Sequence, residues 1–298
     1  MTDSVGMIGL GIMGGAMSAN LVDAGFAVTG FDVDSAACER LAAKGGTIAG
    51  SPGEVAQKAG IVVTSLPSPK ALDEVVNGAD GLIAAGRKGL VVIETSTLTI
   101  EDKQRAHNAL AEAGMAMLDC PLSGTGAQAV TRDLLVYASG DKAAFERCVP
   151  VLDGFARGTH YVGAFGNGSK MKYVANLLVA IHNVASGEAM VLGMKAGLDP
   201  QVIYDVIADG AGGSRIFQLR GPMMVADDYE PATMRMEIWQ KDMKVIGEFA
   251  RALGSPTPLL DASDRIYKEG MKQGRDKQDT ASVCGVLEEM ADFKRGKG

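Results

Sequence analysis

Three polar side chains interrupt an apolar stretch at a spacing suited to acid–base chemistry. Lys172 and Asn176 are four residues apart, and Asn183 lies eleven beyond Lys172. On an α-helix the lysine and both amides would share one stripe. Burial disfavours the charged form of a lysine, so Lys172 could take a hydroxyl proton in one direction and return it in the other. Asn176 could hold the reacting oxygen or the lysine. A lysine near a helix start is also a common surface residue, and spacing alone leaves both readings open. Lys170 falls on another face. His182 lies about 80° from the stripe and reads as a partly buried packing residue.

A second constellation stands at the start of the chain. Gly9-Leu-Gly11-Ile12-Met13-Gly14 follows a β-rich run and precedes a helical one. In that position the first glycine permits a tight turn. The second lets the backbone approach a pyrophosphate, and the third lets strand and helix pack closely. The helix start then offers free N–H groups and partial positive charge to phosphates. Asp32, eighteen residues after Gly14, would accept hydrogen bonds from a ribose and repel a 2′-phosphate, which favours NAD over NADP. Flavin enzymes and methyltransferases also open with glycine-rich turns, but no second FAD-type segment is visible.

These groups need elements to carry them. Runs at 5–8, 27–31, 61–65, 90–94, 116–118 and 134–139 read as strands alternating with helical stretches such as 16–24 and 99–113. That alternation predicts an α/β fold, a Rossmann-type doubly wound, mostly parallel sheet. After residue 162 nearly everything reads as helix, broken by turns at 166–168, 198–200 and 255–258. The expected organisation is a dinucleotide-binding domain over 1–162, then an all-helical substrate and dimerisation domain over 163–298, entered by a long helix. Residues 174–191 read as helix buried in protein, not a membrane span, because polar groups interrupt them. The last five residues, 294–298, read as a frayed tail.

With 298 residues, 47% hydrophobic and 22% charged, the chain can bury a substantial core. A net charge of −7 and the lack of a basic run argue against nucleic acid as a partner. The four scattered cysteines suggest reduced thiols, and with three dispersed histidines they suggest no metal site. No basic segment precedes the first apolar run, so the start does not read as a signal peptide, and a cytoplasmic location is expected.

Several further segments, in order, resemble the β-hydroxyacid dehydrogenase family. Leu66-Pro67-Ser68 is similar to its "LP" turn. Glu94-Thr-Ser96-Thr97 is similar to its "D-x-S-T" turn, with Glu in place of Asp. Asp119-Cys-Pro-Leu-Ser123-Gly124 is similar to the substrate-binding "D-A-P-V-S-G". The segment from Gly166 to Asn176 is similar to the catalytic "G-x-G-x-x-x-K-x-x-N-N", and Lys241-Asp242 to a "K-D-L" helix start. Two departures stand out. The glycines after Ser123 are shifted, giving Ser123-Gly124-Thr125-Gly126, and the first Asn of the pair is Ala175.

The resemblance implies that Lys172 is the general acid–base, assisted by Asn176. It places Ser123, Gly124, Thr125 and Lys241 at a small β-hydroxy acid. Gly9, Gly11, Ile12, Met13, Gly14, Asp32, Leu66, Pro67, Ser96 and Lys241 fall at the cofactor. Candidate substrates are 3-hydroxyisobutyrate, glycerate with tartronate semialdehyde, and threonate-like acids, and the assembly expected is a homodimer or homotetramer. Arg215, in a turn-to-helix segment, reads either as a contact to a second carboxylate or polyhydroxy tail, across a subunit boundary, or as a plain surface arginine; Arg220 shares that segment. Cys120 beside the substrate turn has no activating base in its vicinity that would make it a nucleophile. Two competing readings are a reductase of imines or bulkier ketones, and an NAD-binding sensor without catalysis; the intact lysine site speaks against both.

Overall fold

The computed structural model describes residues 4–296. The chain divides into two compact units, Met1–Lys172 and Tyr173–Gly298.

The first unit opens with strand β1 (Ser4–Ile8), helix α1 (Ile12–Asp23), β2 (Ala27–Phe31), α2 (Ser35–Ala43), β3 (Thr47–Ile48), α3 (Pro52–Lys58) and β4 (Ile61–Thr64). It continues with α4 (Pro69–Asn77), β5 (Val91–Glu94), α5 (Ile100–Glu112) and β6 (Ala116–Asp119). The six strands form one sheet in the order β3-β2-β1-β4-β5-β6, every pair parallel. The order reverses between β1 and β4, the switch point beside which doubly wound sheets bind their ligands. β4 (Ile-Val-Val-Thr) and β5 (Val-Val-Ile-Glu) are almost wholly buried and do not alternate, as expected of strands covered on both faces. One core includes Met17, Leu21, Val63, Ile93, Val151 and Phe155. A separate one gathers Val55, Val62, Leu72, Val92 and Leu110. The parallel pairing thus leaves two apolar layers, which is what "doubly wound" means in terms of burial.

The run 134–139 departs from expectation. Together with β7 (Leu122–Ser123), α6 (Gly126–Val130), α7 (Lys142–Phe155) and β9 (Gly158–Tyr161), its strand β8 (Leu135–Ala138) belongs to a separate three-stranded sheet, β7-β8-β9. β7 runs antiparallel and β9 parallel to β8. A single antiparallel bridge, Asp119 to Ser139, links the run to the end of β6. β7 has two residues, too few to show a period, so the sequence carried no sign of this partner.

Helix starts explain themselves locally. Asp34, Ser51, Ser68, Thr99 and Asp141 each accept a backbone N–H in the first turn of the helix they precede. α1 is different: Gly11 occupies its cap and no side chain closes it.

Helix α8 (Asn167–Lys195) runs through the division between the units. By length and apolarity alone it could cross a membrane. In the second unit, however, Tyr173 meets the Phe249 ring edge-on. Gly187 comes so close to Cys284 and Leu287 that a Cβ there would stand 3.1 Å from Leu287. α9 (Pro200–Ala208), α10 (Arg215–Ala226), α11 (Met236–Ala252), α12 (Pro258–Lys272) and α13 (Val283–Met290) complete the unit, with one 3₁₀ turn, Thr280–Ser282. The tail read as frayed is tied down at Arg295, which donates to Glu288 at 2.6 Å and to the Val225 carbonyl at 2.9 Å. A charged side chain, invisible to an argument from composition, holds it. Residues 297–298 lie outside the described residues.

Candidate active site

In the first unit the glycine turn has the geometry its sequence promises. Gly9 sits at φ +87°, and a Cβ there would stand 2.2 Å from the Ser65 carbonyl oxygen. One at Gly14 would stand 1.8 Å from the Gly9 oxygen. Around Gly11 nothing lies within 4 Å, so that backbone faces open space at the uncapped start of α1. The N–H groups of this first turn are the orphans every helix start leaves, and here no side chain claims the cap.

Asp32 lies half-buried at the end of β2. One oxygen accepts the Leu10 N–H at 2.5 Å and the other the Asp34 N–H at 2.9 Å. The carboxylate is thereby held against the glycine turn. Ile12 at the start of α1 and Val33 next to Asp32 in sequence are both exposed apolar side chains. An open anion cradle, a fixed carboxylate and exposed apolar groups fit a dinucleotide.

The turns after β4 and β5 are joined. The Leu66 N–H donates to the Ser96 hydroxyl at 2.8 Å, and the Ser96 N–H donates to Glu94 at 2.6 Å. Pro67 lies between Leu66 and the Ser68 cap of α4. Ser96 is 6% exposed, so its hydroxyl is oriented by protein, not solvent.

The turn at 123–126 follows a strand of the small sheet. Ser123 ends β7 of the small sheet rather than a strand of the main one. Gly124 has φ +134°, and a Cβ there would be 2.6 Å from Leu134, so only glycine fits. Thr125 precedes α6 and donates its N–H to Gln128 at 3.1 Å. At Gly126 a Cβ would stand 2.5 Å from Ile12. Glycine here leaves room for the Ile12 side chain at the start of α1. Cys120 is fully buried, and burial together with Asp119 beside it pushes its thiol well above the usual range. It is unsuited to act as a nucleophile.

Lys172 is half-buried, one turn into α8, whereas Lys170 is exposed and donates to Asn167 at 3.1 Å. The helix start carrying Lys172 is anchored from within its own unit. Asp119 accepts the Ser169 N–H at 2.7 Å and its hydroxyl at 2.8 Å.

In the second unit, Asn176 is buried and its amide donates to Asp242 at 3.0 Å, while Lys241 Nζ lies 3.8 Å from the other Asp242 oxygen. The sequence named Asp242 only as part of the Lys241-Asp242 motif and gave it no role. Its signal was only its place after Lys241. Arg215 opens α10, exposed, with Nη1 3.5 Å from Gln218. Arg220, by contrast, turns inward to Asp279 at 2.9 Å and is a structural group. Also missed were Glu94, Lys103 and Asp119 as a buried charged set, whose members are far apart in sequence.

Residues 4–163 match the NAD binding domain of 6-phosphogluconate dehydrogenase. Residues 166–287 match the NAD-binding domain of NADP-dependent 3-hydroxyisobutyrate dehydrogenase. The chain is 34% identical to an L-threonate dehydrogenase of Cupriavidus necator over 288 residues, covering 96% of this chain and 97% of that protein. It is 30% identical to a chloroplastic glyoxylate/succinic semialdehyde reductase of Arabidopsis thaliana, covering 96% of this chain and 80% of that one. Among solved structures, the Mycobacterium tuberculosis 3-hydroxyisobutyrate dehydrogenase with L-serine superposes with a TM-score of 0.86 at 30% identity, over 96% of this chain and 99% of that one.

Proposed function

The chain belongs to the β-hydroxyacid dehydrogenase family, and from that premise we propose that it oxidises a small polyhydroxylated 3-hydroxy acid of the threonate type, with Lys172 as general acid–base. That it is an NAD(P)-dependent oxidoreductase acting on CH–OH groups follows from its relatives. What supports the finer reading is the 34% identity to an L-threonate dehydrogenase over 96% of this chain, together with a half-buried Lys172.

A nicotinamide bound at the glycine turn would supply the acceptor for the hydride leaving the hydroxyl-bearing carbon. The chain's own groups do the rest. The neutral Lys172 amine takes the hydroxyl proton as the carbonyl forms, and the ammonium returns it in reduction. Ser123, Gly124 and Thr125 hold the substrate carboxylate. Asn176, its amide fixed by Asp242, orients the reacting oxygen, and Lys241 supplies positive charge. Arg215, exposed at the start of α10, reads the distal hydroxyls or a second carboxylate. The Asp32 carboxylate favours NAD, since the 2′-phosphate of NADP would meet its charge.

The reading includes a cytoplasmic homodimer or homotetramer. Exposed Leu192, Leu198, Val202 and Val206 offer apolar surface for a second copy, and the four free thiols suit a reducing compartment.

The test is reduction of NAD and NADP, in parallel, by L-threonate, 3-hydroxyisobutyrate and glycerate. Turnover is expected with L-threonate and NAD. Lys172→Ala should lower kcat by about 10²–10⁴-fold with NAD affinity intact. Turnover of L-threonate that survives the substitution would remove Lys172 from its role.

A further inference from the structure

Glu94, Lys103 and Asp119 carry charge into the interior of the first unit. All three are at most 1% exposed. Glu94 ends β5, Asp119 ends β6, and Lys103 is the fourth residue of α5. Lys103 Nζ lies 2.8 Å from Asp119 and 3.9 Å from Glu94. One cation between two carboxylates is a costly way to fill a core, because desolvation offsets much of the attraction and apolar side chains of similar volume would often be at least as stable. Stability alone therefore does not account for it.

What the two carboxylates hold suggests a different account. Glu94 accepts the Ser96 N–H at 2.6 Å and the Thr64 hydroxyl, and so fixes the turn whose serine anchors Leu66. Asp119 accepts both the N–H and the hydroxyl of Ser169, three residues before Lys172. The Ser139 hydroxyl, which donates to the Asp119 carbonyl at 3.1 Å, accepts the Gly168 N–H at 2.9 Å. Among the described residues, Lys103 is the one side chain that bridges the two carboxylates.

We propose that Lys103 is a positioning residue that locks the Ser96 turn and the first turn of α8, which leads into Lys172, into one fixed arrangement. The proposal rests on the reading of Lys172 as general acid–base and of Ser96 as a cofactor contact. A lysine that merely balanced charge would affect the fold as a whole. A positioning lysine affects these two segments and the rate, because a displacement of about 1 Å in a reacting group can cost about 10²-fold.

The experiment compares the full-length wild type with Lys103→Met and Ser169→Ala. Backbone amide exchange is followed by mass spectrometry, and kcat and KM are measured with NAD and L-threonate. Lys103→Met should speed exchange in segments 95–99 and 166–172 while residues 4–23 keep their protection. Its kcat should fall by about 10²-fold while the KM for NAD changes far less. Ser169→Ala, a smaller change, should speed exchange in 166–172 only and lower kcat less. Unchanged exchange in both segments would overturn the proposal, as would faster exchange spread evenly over the chain or a KM change with kcat intact. If Lys103→Met does not fold, Lys103→Gln, which keeps an N–H donor for Asp119, is read by the same exchange pattern and kcat. If wild type does not turn over L-threonate, the substrate reading fails, and the exchange pattern still decides whether Lys103 positions these turns.

Discussion

Arg220 and Asp279 in the helical unit form a buried pair as close as Lys103 and Asp119 in the cofactor unit, 2.9 Å against 2.8 Å, yet the two pairs are connected to different things. Asp279 accepts from Arg220, from the N–H and hydroxyl of Thr233, and from the N–H of Met234; its second oxygen accepts the Ala281 N–H. Those partners are connecting backbone ahead of α11 and α13. None is assigned to the reaction. Asp119, by contrast, holds the first turn of the helix that bears Lys172. Equal geometry does not mean equal purpose: what a buried ion pair does is read from the backbone its remaining lone pairs hold.

The largest effect expected from this contrast is on stability in the helical unit. Arg220→Met leaves the Asp279 carboxylate buried without its cation, and breaking a buried pair from one side costs about 3–5 kcal/mol. Urea denaturation should show that loss, while kcat per folded molecule stays at the wild-type value. A variant of normal stability and depressed kcat would erase the distinction between the two pairs.

A smaller effect is expected where charge faces the cofactor. Asp32→Asn keeps an oxygen for the Leu10 N–H and removes the negative charge. The ratio of kcat/KM for NAD over NADP should fall by about tenfold, equivalent to about 1.4 kcal/mol. An unchanged ratio would show that the carboxylate serves only to brace the glycine turn.

The sequence made some of this visible and hid the rest for physical reasons. The glycine turn could be read because its three glycines fall within six residues, directly between a β-rich run and a helical one. Five of the six strands of the main sheet could be read from their apolar runs, whereas β3, two residues long and not buried, could not. Lys172 could be told from Lys170 because the helical period separates their faces, and the structure leaves Lys170 exposed and Lys172 half-buried. The role of Lys103 could not be read. Its partners lie nine and sixteen residues away on two different strands, and only parallel pairing of β5 with β6, which aligns Glu94 with Asp119, brings them to one lysine. The small sheet was hidden for a related reason, since its two-residue strand β7 exists only through its pairing with β8. Asp242 and Arg295 likewise gain meaning from partners that no local pattern announces.

The smallest effects should come from the cysteines, where the two units are expected to agree. Burial pushes the Cys148 thiol of the cofactor unit and the Cys284 thiol of the helical unit each up to about 12, from an ordinary value of 9.0. In the fold these thiols keep their protons until about pH 12, whereas unfolded they would lose them near 9.0. Above that lower value the unfolded state binds fewer protons, so stability falls as pH rises from about 9 towards 12. Cys148→Ala and Cys284→Ala should each flatten that decline in thermal unfolding followed between pH 8 and 11. If only one does so, the two units do not unfold together. Cys120→Ala should leave kcat unchanged at neutral pH, since its thiol is buried, protonated and without a base. A kcat that fell with the cofactor still bound would give that thiol a place in the chemistry after all.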